Sequence, residues 1–324
     1  IGVDSAASVS MKNVTLKGPV TVDNSMSIDS EEGLIQKTAT HGLVLFQTQD
    51  VTLENVKANS FASFGVLFVD SDGTWNTGDA SSNLTVGVGV YGGSVTMEEV
   101  GVHNTIRSSI IHTSYGAVFA ENAVVNTTNF EVSDNEDYGI LHDHVTASHI
   151  NALGNSNGKS ALWAQHCPSV ELAGVDSSFD SNGTATIVLQ QVESSTINDA
   201  TISNTKIGPV VVGEGSLEDI GDGIQATTGN KILNISNLLL SHNERIGMLL
   251  ELSGGTMAGI TIGEVQIEGE GAQYGAVVQN GTTQEGWDDL VERSEQIAEN
   301  DTNITETLGT NKIIGNTNFN NIIG

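Results

Sequence analysis

Residues 135–142 read NEDYGILH, in which Asn135 stands four residues before Gly139 and apolar residues follow the glycine. The same spacing recurs in NTKIGPVVV and NERIGMLLEL and, with the glycine replaced, in NGKSALWAQ and NGTATIVLQ. Related openings without the spaced Asn are HGLVLFQ, FGVLFVD, YGAVFAE and YGAVVQN. Self-similarity of this kind predicts a repeat architecture.

The repeats follow one another at a short, nearly constant interval. Gly42 to Gly65 is 23 residues, Gly116 to Gly139 is 23, and Gly139 to Ala161 is 22. A second apolar pattern follows in each repeat, as in VTLENV from residue 51 and VELAGV from residue 170. Each repeat therefore holds at least two short strands, and we expect equivalent strands of successive repeats to pair in parallel.

Asn and Gly occupy the predicted bends between these strands. Both residue types tolerate left-handed backbone angles, and Asn also bonds to neighbouring backbone groups. Because the repeats stack, we expect equivalent Asn side chains to bond to one another as a ladder along the stacking axis.

This pattern resembles the right-handed parallel β-helix repeat family, the fold of pectate lyases, polygalacturonases, tailspikes and many surface adhesins. The resemblance covers the chain from about residue 9 to its end. It implies an all-β, right-handed parallel β-helix (solenoid) of about twelve coils, with residues 1–324 as a single domain. The resemblance is specific for the fold and does not assign a function.

Three segments interrupt the period and are predicted insertions. Residues 70–86 read as a loop that leaves its coil, and residues 213–231 lengthen the next interval. Residues 284–300 carry apolar residues at helical spacing, which predicts one short helix near the C-terminus.

Composition limits the partners. The chain has 40 acidic and 11 basic residues, and its net charge of −29 disfavours nucleic acid and anionic membranes. No apolar run approaches the roughly 20 residues of a membrane span. The acidic excess fits an extracellular or high-salt setting, or a surface that binds cations such as Ca²⁺, and solubility alone is the alternative. The first residues, IGVDSAASVS, lack an initiating Met and a signal sequence, which indicates a mature or excised piece.

Aligning the repeats on the Gly position places each residue in a column. Three residues after that position, the column is core-like and contains His142, which is therefore predicted to be a satisfied interior histidine. Its members are Leu45, Phe68, Phe119, His142, Ala164, Leu189, Val211 and Leu250.

Two residues after the Gly position, the column should face outward, yet it is apolar. Such a surface indicates a contact. Either a loop or the segment 284–300 covers it, or a polysaccharide, another protein or a second copy of this chain binds there. The members are Val44, Leu67, Val118, Leu141, Trp163, Val188, Val210 and Leu249.

Five residues after the Gly position, a polar column lies at a bend. It places Glu121, His144 and His166 on consecutive coils, where they could bind Zn²⁺, act as an acid/base pair, or form only an exposed polar ladder. Gln191 continues the column as a further candidate binding residue. The next position holds Cys167, predicted to be a small buried residue and not a nucleophile.

The loop sequence DSDGTWNTGD offers a candidate calcium site through Asp70, Asp72, Asn76 and Asp79. It departs from the EF-hand pattern because Ser81 stands where a Glu is needed. A solvated acidic loop is the alternative. The loop allows Ca²⁺ as a cofactor, and the pattern does not require it.

Sugar binding would use exposed aromatic rings, for which Trp163 and Trp75 are the candidates. The enzymes of this family give no catalytic residues that can be carried over to this sequence. The chain lacks the RxPxxR pattern of pectate lyases and the ordered NTD, DD, GHG and RIK motifs of polygalacturonases. No catalytic residue is therefore assigned.

Together these observations favour a non-catalytic extracellular or cell-surface β-helix that acts as a scaffold, adhesin, or carbohydrate- or partner-binding module. One alternative is a polysaccharide lyase or glycoside hydrolase that acts on the outer face of the β-helix. A second is a subunit of a surface filament or assembly that uses the apolar outward column.

Overall fold

The computed structural model describes residues 1–18, 41–106, 116–212, 216–227, 229–251, 259–262, 265–268, 274–279 and 313–315. Within these ranges the chain is all-β, and no helix is present. The strands are β1 (Gly2–Asp4), β2 (Val9–Lys12), β3 (Thr15–Lys17), β4 (His41–Phe46), β5 (Val51–Asn59), β6 (Phe64–Val69), β7 (Gly73–Asp79), β8 (Val86–Tyr91), β9 (Ser94–His103), β10 (Val118–Glu121), β11 (Val124–Thr128), β12 (Glu131–Ser133), β13 (Ile140–Asp143), β14 (Thr146–Ile150), β15 (Leu162–Gln165), β16 (Ser169–Ala173), β17 (Ser177–Asp180), β18 (Ile187–Gln190), β19 (Ser194–Ser203), β20 (Gly208–Val212), β21 (Ser216–Ile220), β22 (Asp222–Thr227), β23 (Ile232–Ser241), β24 (Ile246–Glu251), β25 (Gly259–Ile262), β26 (Val265–Glu268), β27 (Tyr274–Gln279) and β28 (Ile313–Gly315).

Two long parallel sheets contain almost all of these strands. Sheet A has 11 strands in the order β1-β4-β6-β8-β10-β13-β15-β18-β22-β24-β27. Sheet B has 15, with β2-β5-β7-β9-β11-β14-β16-β19-β23-β26-β28 as its path and β3, β12, β17 and β25 pairing beside it. The chain alternates between the sheets, and each strand pairs with its counterparts in the repeats before and after it. This order is compatible with a parallel β-helix. We call one sheet A strand, with the sheet B segment that follows it, a rung.

The pairing register reproduces the period found in the sequence. Leu43 pairs with Val66, and Ile140 pairs with Leu162, which in turn pairs with Ile187. These steps are 23, 22 and 25 residues long. Since side chains alternate along a strand, this register aligns buried residues above buried residues from rung to rung.

The core lies between the sheets as one continuous apolar cluster. It is made of stacked Val, Leu, Ile and Phe side chains, with Trp75, Phe68, Phe130 and Phe179 among the largest that are fully buried. Burial of each such side chain contributes roughly 1.5–3 kcal/mol relative to exposure. Glycine at the start of a sheet A strand permits close packing there. A Cβ on Gly65 would lie 2.7 Å from the carbonyl oxygens of Ala58 and Gly87.

A ladder of buried asparagines holds the bend that precedes sheet A. Asn135 Nδ2 donates to Asn157 Oδ1 at 2.8 Å, and Asn157 Nδ2 donates to Asn182 Oδ1 at 2.9 Å. The same amides reach the backbone, because Asn157 Nδ2 donates to the Val132 carbonyl at 3.0 Å and Asn182 Nδ2 to the Gly154 carbonyl at 2.7 Å. The predicted ladder is thus confirmed across these rungs.

The predicted insertions have different outcomes. The prediction of a loop over residues 70–86 is wrong for its central part, because Gly73–Asp79 forms β7 between β5 and β9 in sheet B. In the second segment, β20 and β21 form an antiparallel hairpin outside both sheets, and β22 then resumes sheet A. This insertion therefore begins before residue 213. The segment 284–300 and its predicted helix lie outside the described residues.

Two column assignments from the sequence are corrected by the register. Ala120, and not Phe119, pairs with His142 and points inward, because Ala117, directly before β10, and not Gly116 is equivalent to Gly139. Val210 and Val211 belong to the hairpin, and Ala226 of β22 takes the inward position beside Leu189. Aligning the repeats on one glycine each also omits β8, because its sequence VGVGVY offers two glycines.

His142 is buried in the core as predicted, and it contacts a second buried histidine. The Nε2 atoms of His142 and His149 are 3.1 Å apart, the rings are stacked at 5.2 Å, and Thr127 Oγ1 lies 2.8 Å from His149 Nδ1. Burial lowers the pKa of His149 to about 4. Burial, and then the neighbouring His149, lowers the pKa of His142 well below its ordinary value. Both imidazoles are therefore neutral in the folded protein at neutral pH.

Replacement of Asn157 by Ala tests the ladder. The substitution removes the bonds of this amide to Asn135, Asn182 and the Val132 carbonyl, and leaves buried polar groups without partners. We expect the free energy of unfolding to fall by about 3 kcal/mol. Urea denaturation measures this loss, and Asn126→Ala on the outer side of sheet B is the matched control. Equal effects of the two substitutions would contradict the role given to the ladder.

The histidine pair predicts loss of stability in mild acid. In the unfolded chain both imidazoles titrate near pH 6.5, whereas His149 accepts a proton in the fold only near pH 4. Below pH 6.5 protons therefore bind preferentially to the unfolded chain, and stability declines down to about pH 4. The expected loss from His149 alone between pH 7.5 and pH 4.5 is about 2 to 3 kcal/mol.

Denaturation at a series of pH values measures this decline. The double variant His142→Leu/His149→Leu should lose the histidine part of the pH dependence and keep the part that comes from carboxyl groups. A variant whose pH dependence between 6.5 and 4.5 equals that of the parent protein would show that the pair is not responsible.

Candidate functional site

The side of sheet A that points away from the core, here the outer face, carries two columns of side chains. Within β13, Ile140 and His142 are buried while Leu141 and Asp143 are partly exposed. The first column is Val44, Leu67, Gly89, Phe119, Leu141, Trp163, Val188, Gln225 and Leu249. The second column is Phe46, Val69, Tyr91, Glu121, Asp143, Gln165, Gln190 and Thr227.

The first column matches the apolar outward column of the sequence prediction, with three corrections. Phe119 replaces Val118, which points inward, and Gln225 replaces Val210 of the hairpin. Gly89 adds the rung that the sequence alignment passed over. The second column changes character along the sheet, from apolar residues on β4, β6 and β8 to polar ones from β10 onwards.

Aromatic rings form a row on the first rungs of the outer face. The ring of Phe64 lies 5.4 Å from that of His41 and 6.2 Å from that of Tyr91, and Tyr91 lies 5.3 Å from Phe119. Gly89 makes room for this row, since a Cβ there would lie 2.6 Å from the Phe64 ring. We call these four residues the aromatic row. Beside it, Phe46 is 39% exposed.

The later part of the apolar column is covered by the chain itself. Ile220, at the end of the hairpin, packs against Val188 and Ala185, and Trp163 packs against this cluster. The ring of Tyr138 meets Trp163 edge-on at 5.5 Å. The hairpin is therefore an intramolecular cover, and Trp163 is a partly buried packing residue and not an open platform for a sugar ring.

At the bend after sheet A, three side chains meet. Asp143 ends β13, His144 follows it, and His166 occupies the equivalent position after β15. Asp143 Oδ1 lies 2.7 Å from His144 Nδ1 and 2.9 Å from His166 Nδ1. The two imidazoles are stacked with centroids 5.0 Å apart. We call these three residues the bend cluster.

The bend cluster keeps two residues of the predicted polar column and replaces the third. Glu121 pairs with Asp143 on the outer face and does not occupy the bend, where Asn122 stands instead with φ 52°. Gln191 does continue the column after β18, exposed and with φ 53°. The carboxylate beside the histidines is therefore Asp143. The position of Asp143 directly before His144 is the feature of the sequence that could have identified it.

The electrostatics of the cluster favour a charged carboxylate. Partial burial acts to raise the pKa of Asp143, but hydrogen bonds from His166 and Gln165, together with the neighbouring His144, outweigh it. The net result is a pKa below the ordinary value. Asp143 is therefore an ionised acceptor at neutral pH, and the two histidine side chains beside it are 56% and 41% exposed.

The predicted calcium site is not assembled. Gly73–Asp79 pairs along sheet B and bends at Thr77, where φ is 54°, so Asp72 and Asp79 lie at opposite ends of a paired strand and not in one loop. Asp72 Oδ1 accepts from the Ser94 backbone N–H at 2.8 Å, and Asp79 accepts from Asn59 Nδ2 at 2.7 Å. Asp70 lies at the bend before this strand and Asn76 within it. One Ca²⁺ ion cannot contact all four.

Two further residues singled out by the sequence are buried. Trp75, a candidate for sugar stacking, is fully buried between Leu53 and Met97 of the neighbouring strands, which excludes that role. Cys167 is buried as predicted, and its Sγ donates to the Gln165 carbonyl at 3.2 Å. Burial raises the pKa of its thiol to about 11, so it is not a nucleophile at neutral pH.

Comparison with protein-family models, with curated proteins and with solved structures gives no match to this chain. In the part of the chain that the structure describes, no helix has the length and apolar character needed to cross a membrane. The outer face of sheet A, with its aromatic row and bend cluster, is thus identified as the candidate site from geometry alone.

Proposed function

We propose that this protein is a non-catalytic binding module of the right-handed parallel β-helix family, located outside the cell or at its surface. It binds an extended ligand, such as a polysaccharide chain, along the outer face of sheet A. The observation that carries this proposal is one continuous surface, on which the aromatic row lies along the first rungs and polar side chains of the second column follow from β10 onwards.

Sugar rings suit such a surface because each has an apolar C–H side and a hydroxyl edge. In the aromatic row, His41, Phe64 and Tyr91 are partly exposed and offer apolar contact to the C–H side, whereas Phe119 is buried beneath them at 8% exposure. Apolar area of this kind contributes most of the contact energy. Glu121 and Gln165 in the second column offer acceptors and donors to the hydroxyl edge. Parallel stacking repeats these positions at about 4.8 Å from rung to rung, which suits a polymer better than a small ligand.

The family assignment rests on the alternation of strands between two parallel sheets. Parallel strands joined by a crossover in the same sheet connect with a right hand in nearly all proteins, which supports the right-handed form. The excess of 40 acidic over 11 basic residues supports a neutral partner over nucleic acid or an anionic surface.

A polysaccharide lyase or hydrolase is the second candidate, because the bend cluster places a carboxylate and two imidazoles beside the polar column. Carboxylates and imidazoles are the usual groups for general acid and base catalysis. Self-association into a filament would use the same apolar surface and would appear as large species in light scattering.

Calorimetric titration against a panel of neutral and uronate polysaccharides tests the binding proposal. Tyr91→Ala and Phe46→Ala remove apolar surface from the outer face, and each should weaken binding by about tenfold. Val124→Ala, an exposed apolar residue at the start of β11 in sheet B, is the matched control and should leave affinity unchanged.

Two results would overturn the proposal. One is the absence of binding across the whole panel. The other is release of unsaturated uronates or reducing sugar ends from a bound polysaccharide, which would establish the enzyme instead. Far-ultraviolet circular dichroism of each variant checks that the sheets are intact.

A further inference from the structure

The bend cluster is held in place by the pairing of the sheet beneath it. Asp143 pairs with Gln165, and each histidine is the next residue on its own strand. The backbone N–H of His144 donates to the Gln165 carbonyl at 3.1 Å, and that of His166 donates to the Gln190 carbonyl at 3.0 Å. Both histidines have left-handed backbone angles, with φ of 55° and 53°. The two imidazoles are therefore placed alike and adjacent before any ligand binds.

Both rings also turn the same nitrogen towards the same oxygen. The Nδ1 atoms of His144 and His166 lie 2.7 Å and 2.9 Å from Asp143 Oδ1, and one ligand atom from each residue lies within 4.8 Å of the others. Within the described residues, the ion pairs of Asp143 are with these two imidazoles. Three neutral or anionic donor groups thus converge on one small volume.

We propose that Asp143, His144 and His166 together bind one divalent transition-metal ion, for which Zn²⁺ is the reference. Two imidazoles and one carboxylate form a ligand set that suits Zn²⁺, Ni²⁺ or Cu²⁺, whereas Ca²⁺ and Mg²⁺ prefer oxygen ligands alone. This site is independent of the polysaccharide-binding proposal, since neither requires the other.

Metal binding exchanges the hydrogen bonds of the bend cluster for bonds to the ion and turns the two imidazoles. Without metal, the Nδ1–H tautomer of each imidazole donates to Asp143. With metal bound, the proton of each ring is on Nε2, so that the Nδ1 lone pair faces the ion and no proton is gained or lost overall. Ligand atoms around Zn²⁺ are about 2.0–2.2 Å from it and so roughly 3.3–3.5 Å from one another in a tetrahedral site. The distances from Asp143 to the two histidines, 2.7 and 2.9 Å, therefore lengthen by about half an ångström, and the stacked imidazoles turn so that both Nδ1 atoms point to one ion.

The surroundings fit a metal site with an open position. The Gln165 side chain hydrogen-bonds to Asp143 and so orients the carboxylate from outside the ligand set. Three protein ligands leave a fourth position of a tetrahedral ion for water or for an external ligand. The chain's net charge of −29 raises the local concentration of cations.

Calorimetric titration of chelator-treated protein with ZnCl₂ tests this proposal, with CaCl₂ as the control ion. We expect one Zn²⁺ per chain with a micromolar dissociation constant, and no comparable isotherm for Ca²⁺. His144→Asn and His166→Asn should each weaken Zn²⁺ binding by about tenfold or more. Asn suits both positions, because it tolerates the left-handed backbone and stands at the equivalent bend as Asn122.

His242→Asn is the matched control, since His242 is also exposed at a left-handed bend, with φ 55°, but lies away from the cluster. Electron paramagnetic resonance of the Cu²⁺ complex gives a second measurement, with coupling to two imidazole nitrogens in the parent protein and to one in each variant. Circular dichroism confirms that the variants are folded.

The proposal is overturned if the double variant His144→Asn/His166→Asn binds Zn²⁺ as the parent does. It is also overturned if Ca²⁺ competes equally with Zn²⁺, or if Zn²⁺ does not bind at all. Loss of polysaccharide binding in Tyr91→Ala and Phe46→Ala, with Zn²⁺ binding unchanged, would separate this site from the other proposal.

Discussion

The bend before sheet A must bury backbone groups, and the asparagine ladder is the interaction that allows it. A buried N–H or carbonyl without a partner costs about as much as a lost hydrogen bond, so every rung needs a donor and an acceptor at this point. Asn157 supplies both, since its amide donates to the Val132 carbonyl and to Asn182 while its oxygen accepts from Asn135. Each rung thereby fixes the position of the next.

The ladder helps to set the pairing register of neighbouring rungs, and the register decides which side chains lie together on the surface. Once equivalent positions are stacked, any residue type repeated along the sequence becomes a column in space. Rings from β4, β6, β8 and β10 become the aromatic row, and two histidines separated by 22 residues become neighbours at one bend. The candidate site is therefore built from separate repeats, none of which holds a recognisable motif.

The three histidines between residues 142 and 149 show how strongly position controls chemistry. His142 and His149 face each other in the core, neutral and without access to solvent. His144, only two residues from His142, lies beyond the end of the strand and is exposed beside Asp143. The chemical difference between a packing histidine and a candidate ligand comes from alternation along the strand and from where that strand ends.

The sequence by itself determined the period, the all-β class, the parallel pairing of repeats and the asparagine ladder, because these depend on local spacing that repeats. Most inward residues were also correct, including His142 and Cys167. Only the tertiary structure decided the register at β10, where Ala117 and not Gly116 is equivalent to Gly139. A shift of one residue moves every side chain to the other face, so the sequence placed Glu121 at the bend, whereas it lies on the outer face beside Asp143. Only the structure showed that Gly73–Asp79 is a paired strand and that the hairpin covers Val188, since both depend on contacts between segments distant in sequence.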